Sequence, residues 1–192
     1  MRKAMITVKG ASPLSWSRPL EFEALEGESK RDTEARLWRD RFWSAPDGKL
    51  FVPPLAIKNG LVSAAKYRGE KIPGKGSKTW TGKFEAGILA FEPMTLGVTA
   101  AALEPEWLYV PGQPGKGKKG AGPRVWKCFP RLLEWGGTAE VFIVDDIISK
   151  AVFEGYFESI GKFIGWGRFR VENGGYYGRF QITKMMVGTV KG

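Results

Sequence analysis

The chain has 192 residues, with thirty Lys and Arg against twenty Asp and Glu, one cysteine and no histidine, for a net charge of +10. That length suits one domain burying roughly two-thirds of its unfolded surface, and the basic balance favours polyanionic partners. A lone Cys128 without histidine excludes an internal disulfide and the Cys/His zinc patterns. No apolar run reaches the length of a membrane span or a signal-peptide core, so a reduced, cytoplasmic setting is expected.

From the N-terminus, Met5, Thr7 and Lys9 alternate with Ile6 and Val8, which predicts a strand ended by Gly10 and Pro13. Residues 30–42 read as an exposed, mixed-charge helix, with Ala35, Leu37, Trp38 and Phe42 only partly at helical spacing. A short apolar strand at 50–52 meets Pro53 and Pro54, and a helix begins after the prolines, carrying Ile57, Leu61, Val62, Ala64 and Ala65. Residues 86–98 read as a further strand segment.

The stretch VPGQPGKGKKGAGPRVWK follows. Proline, glycine and lysine at that density bury too little apolar surface to offset ordering, so a mobile basic insertion is expected at about 110–127. Then comes a strand at 141–144 and a helix at 146–160, in which Ile147, Ile148, Ala151, Val152, Tyr156, Phe157 and Ile160 repeat near every 3.6 residues. Asp145 or Asp146 is the expected cap and Gly161 the expected stop. A final strand is predicted at 176–183.

Between that helix and that strand lies IGWGRFRVENGGYYGRFQI, residues 164–182, with five glycines, three arginines, five aromatics and one acidic residue. Glycines let backbone approach a ligand closely, so exposed amides at Gly165, Gly167 and Gly175 can meet phosphates. Arg168, Arg170 and Arg179 can fork onto phosphate oxygens, while Trp166, Tyr176 or Tyr177 can stack on unpaired bases. The competing reading is a hairpin whose glycines only turn the chain and whose aromatics fill a core. In both readings Phe169 and Phe180 are expected in the core.

Charge is gathered, not spread. Residues 52–83 carry seven basic and one acidic side chain, 110–131 six and none, and 162–184 five and one. This adds Lys58, Lys66 and Arg68 on the predicted helix, and Lys116, Lys118, Lys119, Arg124, Trp126 and Lys127 in the insertion, as candidate nucleic-acid contacts. Lysines on a helix more often simply face water.

Catalysis finds little support. The commonest general base is missing, Cys128 has no imidazole partner, and neither GKGSK nor GKGKKG has the spacing of a phosphate-binding P-loop. No enzyme activity, cofactor or metal is expected.

Strand, helix, glycine loop and strand make half of a ferredoxin-like unit. Here the sequence resembles the RAMP superfamily, the repeat-associated proteins that form RNA-binding backbone subunits and processing nucleases of CRISPR complexes. The resemblance rests on Gly165, Trp166, Gly167, Arg168, Phe169 and Arg170, followed by Gly175, Tyr176, Tyr177, Gly178 and Arg179. It covers about residues 139–183, and residues 171–175 lengthen the loop between its two glycine clusters. A fainter echo is the proline-then-helix segment from Phe51, with its basic side chains.

The resemblance implies an α+β, ferredoxin-like (RRM-like) antiparallel sheet with helices on one face and long inserted loops. It also implies a single domain that binds single-stranded RNA or DNA, with copies of itself or other ribonucleoprotein subunits as partners. The basic insertion would act as the thumb does in backbone subunits, clamping a strand or a neighbour. It carries over no catalytic residue. The alternative is a structural or interaction protein of a virus or mobile element that binds or imitates part of a CRISPR-type ribonucleoprotein.

Overall fold

A period of two at the N-terminus produces the first strand, β1 (Arg2–Gly10), which buries Ala4, Ile6 and Val8 on one face. The computed structural model of the chain describes residues 1–111 and 123–190. After the two-residue β2 (Leu14–Ser15) comes α1 (Lys30–Leu37), whose N-cap Ser29 accepts the Asp32 amide at 3.2 Å. The helix predicted at 30–42 is thus shorter, and closes in a 3₁₀ turn at Trp38–Asp40.

β3 (Lys49–Val52) leads through Pro53 into α2 (Pro54–Arg68), which starts at the second proline and ends at Gly69 with φ 60°. The segment expected as one strand divides at Gly87 into the end of α3 (Thr81–Gly87), β4 (Ile88–Leu89) and β5 (Met94–Thr99). β6 (Glu104–Pro111) and β7 (Arg124–Leu132) pair antiparallel, Tyr109 opposite Trp126 and Val110 opposite Val125. Both ends of the expected mobile insertion are therefore ladder-bonded strand. Its lysines, Lys116, Lys118 and Lys119, lie outside the described residues.

β8 (Gly136–Ile143) and α4 (Lys150–Ser159) follow. Ser149 caps α4, accepting from the Val152 amide at 3.3 Å. Asp145, the expected cap, instead holds Lys83 at 2.9 Å and its own turn through the Ile147 amide. Nor does Gly161 stop the helix. A π turn at Ile160–Ile164 extends it to Gly165, while Gly161 lets the helix touch the Phe180 carbonyl, where a Cβ would collide. β9 (Phe180–Thr189) begins four residues later than predicted, because Tyr176 to Arg179 belong to the glycine loop.

The main sheet has the order β4-β8-β1-β9 with every contact antiparallel. Taken along the chain, β1, α2, β4, β8, α4 and β9 are strand, helix, strand, strand, helix, strand. The second, third, first and fourth strands lie side by side, which is the ferredoxin-like topology. The inserts are themselves structured: β2, β7 and β6 form a second sheet, and β3 pairs with β5.

Ile57, Leu61 and Ala64 of α2 and Phe153 and Phe157 of α4 join Ile6 of β1 and Val141 of β8 in one cluster of fully buried side chains. Each large side chain there contributes about 1.5–3 kcal/mol. Among the described residues no helix is long and apolar enough to cross a membrane.

Candidate nucleic-acid interface

The glycine-rich stretch 164–182 folds onto itself and is not a hairpin. Gly165 donates to the Ile160 carbonyl at 2.7 Å, Gly175 to Arg170 at 3.0 Å and Gly178 to Pro13 at 2.8 Å. The amides of Trp166 and Tyr177 reach the carbonyls of Gly178 and Phe169, each at 3.1 Å, and Arg168 donates to Ser15 of β2 at 2.7 Å. Two positions require glycine for this closeness: a Cβ on Gly175 would strike the Phe169 carbonyl, and one on Gly178, where φ is 71°, the Trp166 carbonyl. The amides of Gly165 and Gly175, expected to meet phosphate, are therefore already used.

The loop's side chains divide into an inner and an outer set. Trp166, only 2% exposed, stacks on Phe180 at 4.2 Å between ring centroids and meets Phe157 edge-on. Tyr177 is buried too, and its hydroxyl donates to the Glu106 carboxylate. Arg168 places its guanidinium 3.5 Å from the centre of the Phe129 ring and 3.6 Å from Glu106. These three do not offer the stacking faces and phosphate fork expected of them: burial of their rings stabilises Trp166 and Tyr177 in the interior, and Arg168 is held inward by the Phe129 ring and the Glu106 carboxylate. Burial and the Glu106 contact push the Tyr177 phenol up to about 12, and burial pulls the Arg168 guanidinium below its ordinary value.

Phe169, expected in the core, is 39% exposed, at a φ of 56° that bulky residues rarely adopt. It meets Tyr176 and Tyr177 edge-on at 5.2 and 5.7 Å. Tyr176 is exposed as expected. Arg170 and Arg179 stay at the surface, the first bonded to Glu172 at 3.0 Å, the second to the Lys162 carbonyl at 2.8 Å.

On its outer side the loop forms one wall of a trough of three adjoining clefts. The first, about 350 Å³, is lined by Arg18, Trp43, Pro53, Phe169 and Arg170. The middle one, about 330 Å³, shares Trp43, Gly167 and Arg170 with it and adds Asn59, Ser63 and Trp166. The third, about 560 Å³, continues past Ser63 and Glu172 to Lys66, Tyr67, Lys162, Phe163 and Arg179. Arg18 lies over the Trp43 ring at 4.9 Å, and Tyr67 stacks on Phe163 at 5.1 Å and 22°. The two stacked rings are 63% and 43% exposed. The π turn at Ile160–Ile164 carries Phe163 to this position.

Of the predicted helix cations, Lys66 joins the trough. Lys58 lies outside these three clefts. Arg68 is turned inward, its guanidinium 4.2 Å from the Tyr156 ring centre and bonded to Glu70 and Ser159.

On the β6–β7 hairpin, Trp126 and Tyr109 are half exposed with centroids 5.2 Å apart, and Arg124 donates to the Tyr109 carbonyl. Lys127 is not a free cation. It bonds to buried Glu34, which also holds Arg41 at 3.1 Å and the Cys128 amide at 3.2 Å.

Sequence reasoning missed Arg18, Trp43, Asn59, Ser63, Tyr67, Lys162 and Phe163. Tyr67, an aromatic between Lys66 and Arg68, and Phe163, an aromatic beside Lys162 in the basic segment 162–184, carried a signal. The others gain meaning by proximity alone.

These elements make a ferredoxin-like sheet bearing a self-bonded glycine loop beside a cationic, aromatic trough. No family model matches the sequence, and no curated protein matches it. Solved structures share the fold. One is a chain of the Type III-B Cmr-beta bound to cognate target RNA, with TM-score 0.56 and 12% identity over 97% of this chain and 60% of that one. Another is Cmr6 from Pyrococcus furiosus, with TM-score 0.51 and 15% identity over 94% of this chain and 98% of that one. The protein thus spans 60% of the length of the first and nearly all of the second.

Proposed function

We propose that the protein is a non-enzymatic, cytoplasmic module, one RAMP-like domain, that binds single-stranded RNA as part of a ribonucleoprotein containing further subunits or copies of itself. The observation that carries this reading is the trough: exposed aromatic faces at Trp43, Tyr67 and Phe163 alternate with Arg18, Arg170, Lys66, Lys162 and Arg179 along one continuous surface. Cations that follow a backbone, with rings on which bases stack, are what unpaired strands require. Arg124, Trp126 and Tyr109 on the hairpin offer a second, separate contact of the same chemistry. Support also comes from the fold shared with a structure solved on target RNA.

The test is nuclease footprinting and competition. Purified protein should protect a fixed number of nucleotides per monomer on single-stranded RNA, and duplex RNA should compete poorly. Single-stranded DNA is the companion strand, deciding how far the 2′-hydroxyl matters. Failure to bind either strand, with retention of an acidic protein partner, would transfer the basic surface to protein–protein contact.

A further inference from the structure

The main sheet ends unevenly. One edge is the two-residue β4, while the other is the ten-residue β9, which pairs with β1 alone among the described residues. An open strand of that length presents a row of unused amides and carbonyls, and proteins ordinarily blunt it with charge, proline, a bulge or a cover. β9 has such devices only in its first half. The π turn lies against the Phe180 carbonyl, Thr183 is an extra residue against the β1 register, and Lys184 is the strand's one charged side chain. From Met185 to Thr189 there is no charge, proline or bulge.

The ladder states which groups are free. The Val190 amide donates to the Met1 carbonyl at 3.2 Å, and the register runs unbroken from Arg2 opposite Thr189 to Thr7 opposite Lys184. Hydrogen-bonded pairs alternate in an antiparallel ladder, so Gly188, Met186 and Lys184 bond to β1, while Met185, Val187 and Thr189 turn their amides and carbonyls outward. On the other side of β1, Gly10 donates to Trp135 in register with β8, which gives the even residues of β1 to β8 and leaves the odd ones to β9. The side chains divide as well. Met185 and Val187 are half-buried against the core, and Met186, opposite Met5, is 52% exposed on the other face.

This segment is complementary to itself. Laid antiparallel about a two-fold axis at Met186, Met185 of each copy faces Val187 of the other, and each such pair can exchange both of its hydrogen bonds. The half-buried side chains of Met185 and Val187 then cover each other, and the two exposed Met186 side chains meet across the axis. Lys184 falls opposite Gly188, where no atom stands within 4 Å of a Cβ position, so like charges stay apart. Nucleic acid or an acidic peptide would find a single cation along the whole strand.

We infer that two copies of this chain join β9 to β9 in this register, turning their two four-stranded sheets into one continuous sheet. The pairing does not rest on RNA binding, for no residue from Lys184 to Thr189 lines the trough. So short a ladder buries less surface than a standard interface, and association is expected at roughly 10–100 μM.

Sedimentation of the protein freed of nucleic acid tests the pairing. Wild type should pass reversibly from monomer to dimer over about 1–300 μM. Val187→Pro removes an outward amide that β1 does not use, as an edge strand tolerates, and should stay folded by circular dichroism and monomeric. Met186→Cys puts thiols at facing non-hydrogen-bonded positions, where Cα atoms about 4.5 Å apart suit a disulfide, so copper-catalysed air oxidation should link it into a covalent dimer. Thr183→Cys, exposed on the same strand, should not link, because its own counterpart lies at the far end of the ladder, and the native Cys128 is buried. A wild type that stays monomeric throughout that range, a Val187→Pro dimer as tight as wild type's, or equal linking of Thr183→Cys and Met186→Cys would overturn the inference. Should Val187→Pro fail to fold, the two cysteine variants decide.

Discussion

The Tyr177 hydroxyl donates to the Glu106 carboxylate, so one part-buried contact fastens the glycine loop to β6 of the hairpin. Arg131 and Arg168 approach the same carboxylate at 3.5 and 3.6 Å, which makes Glu106 the counter-charge for both. Glu106→Ala should therefore leave the half-buried Arg168 beside Phe129 without an anion, and lower stability by on the order of 2 kcal/mol in a denaturant titration. Tyr177→Phe, which removes one hydrogen bond, should cost nearer 1 kcal/mol.

The same contact sets a response to alkali. Tyr177 is held from its ordinary value of 10.0 up to about 12, so the folded state favours the protonated phenol. The stabilisation is complete below about pH 10 and is lost as pH rises through about 12. Tyr156, raised in the same direction by burial and by Glu70, adds to this fall. Unfolding followed between pH 9 and 12 should show a shallower loss of stability in Tyr177→Phe than in wild type; parallel curves would contradict the assignment.

Trp166→Ala tests the inner wall of the trough. Because the ring is buried between Phe180 and Phe157, truncation should cost about 3–5 kcal/mol of stability. A variant that melts as wild type does would mean that the ring faces a ligand alone.

Tyr67→Ala and Phe163→Ala should do the opposite. Both rings are on the surface, so the melting temperature should hardly change, while RNA affinity falls by about 1–3 kcal/mol for a base that stacks there. Equal affinity in both variants would remove the third cleft from the binding path.

Salt dependence separates free cations from bound ones. Lys66→Ala and Lys162→Ala should each flatten the plot of log affinity against log salt by about 0.7, since their partners, Glu85 and Glu158, are exposed and yield to phosphate. Lys127→Ala should leave that slope unchanged and instead lower stability, because its ammonium is bound to buried Glu34. A reduced slope in Lys127→Ala would show that it leaves Glu34 for the strand.

Periodicity within a short window was enough to read β1 from Ile6 and Val8 and α4 from Val152, Tyr156 and Phe157, and two prolines, Pro53 and Pro54, were enough to read the start of α2. It also gave the order of strand, helix, glycine loop and strand, half of a ferredoxin-like unit, while the whole topology was implied by the resemblance that the loop's residues carry. Those features are local: a strand or helix buries one face, and the spacing of apolar residues records which. The gathering of positive charge was equally visible, since it is a count along the chain.

Only the tertiary structure decided which side chains the surface keeps. Trp166 and Phe169 are three residues apart in one glycine-rich loop, yet the first is buried on Phe180 and the second is exposed. Arg168 is neutralised by Glu106, and Lys127 by Glu34, 93 residues away in sequence. The trough likewise joins Arg18, Trp43, Tyr67 and Phe163 from four separate segments. Such pairings depend on how α1, α2, the π turn and the hairpin pack together, and packing between distant segments leaves no period in the sequence of either one.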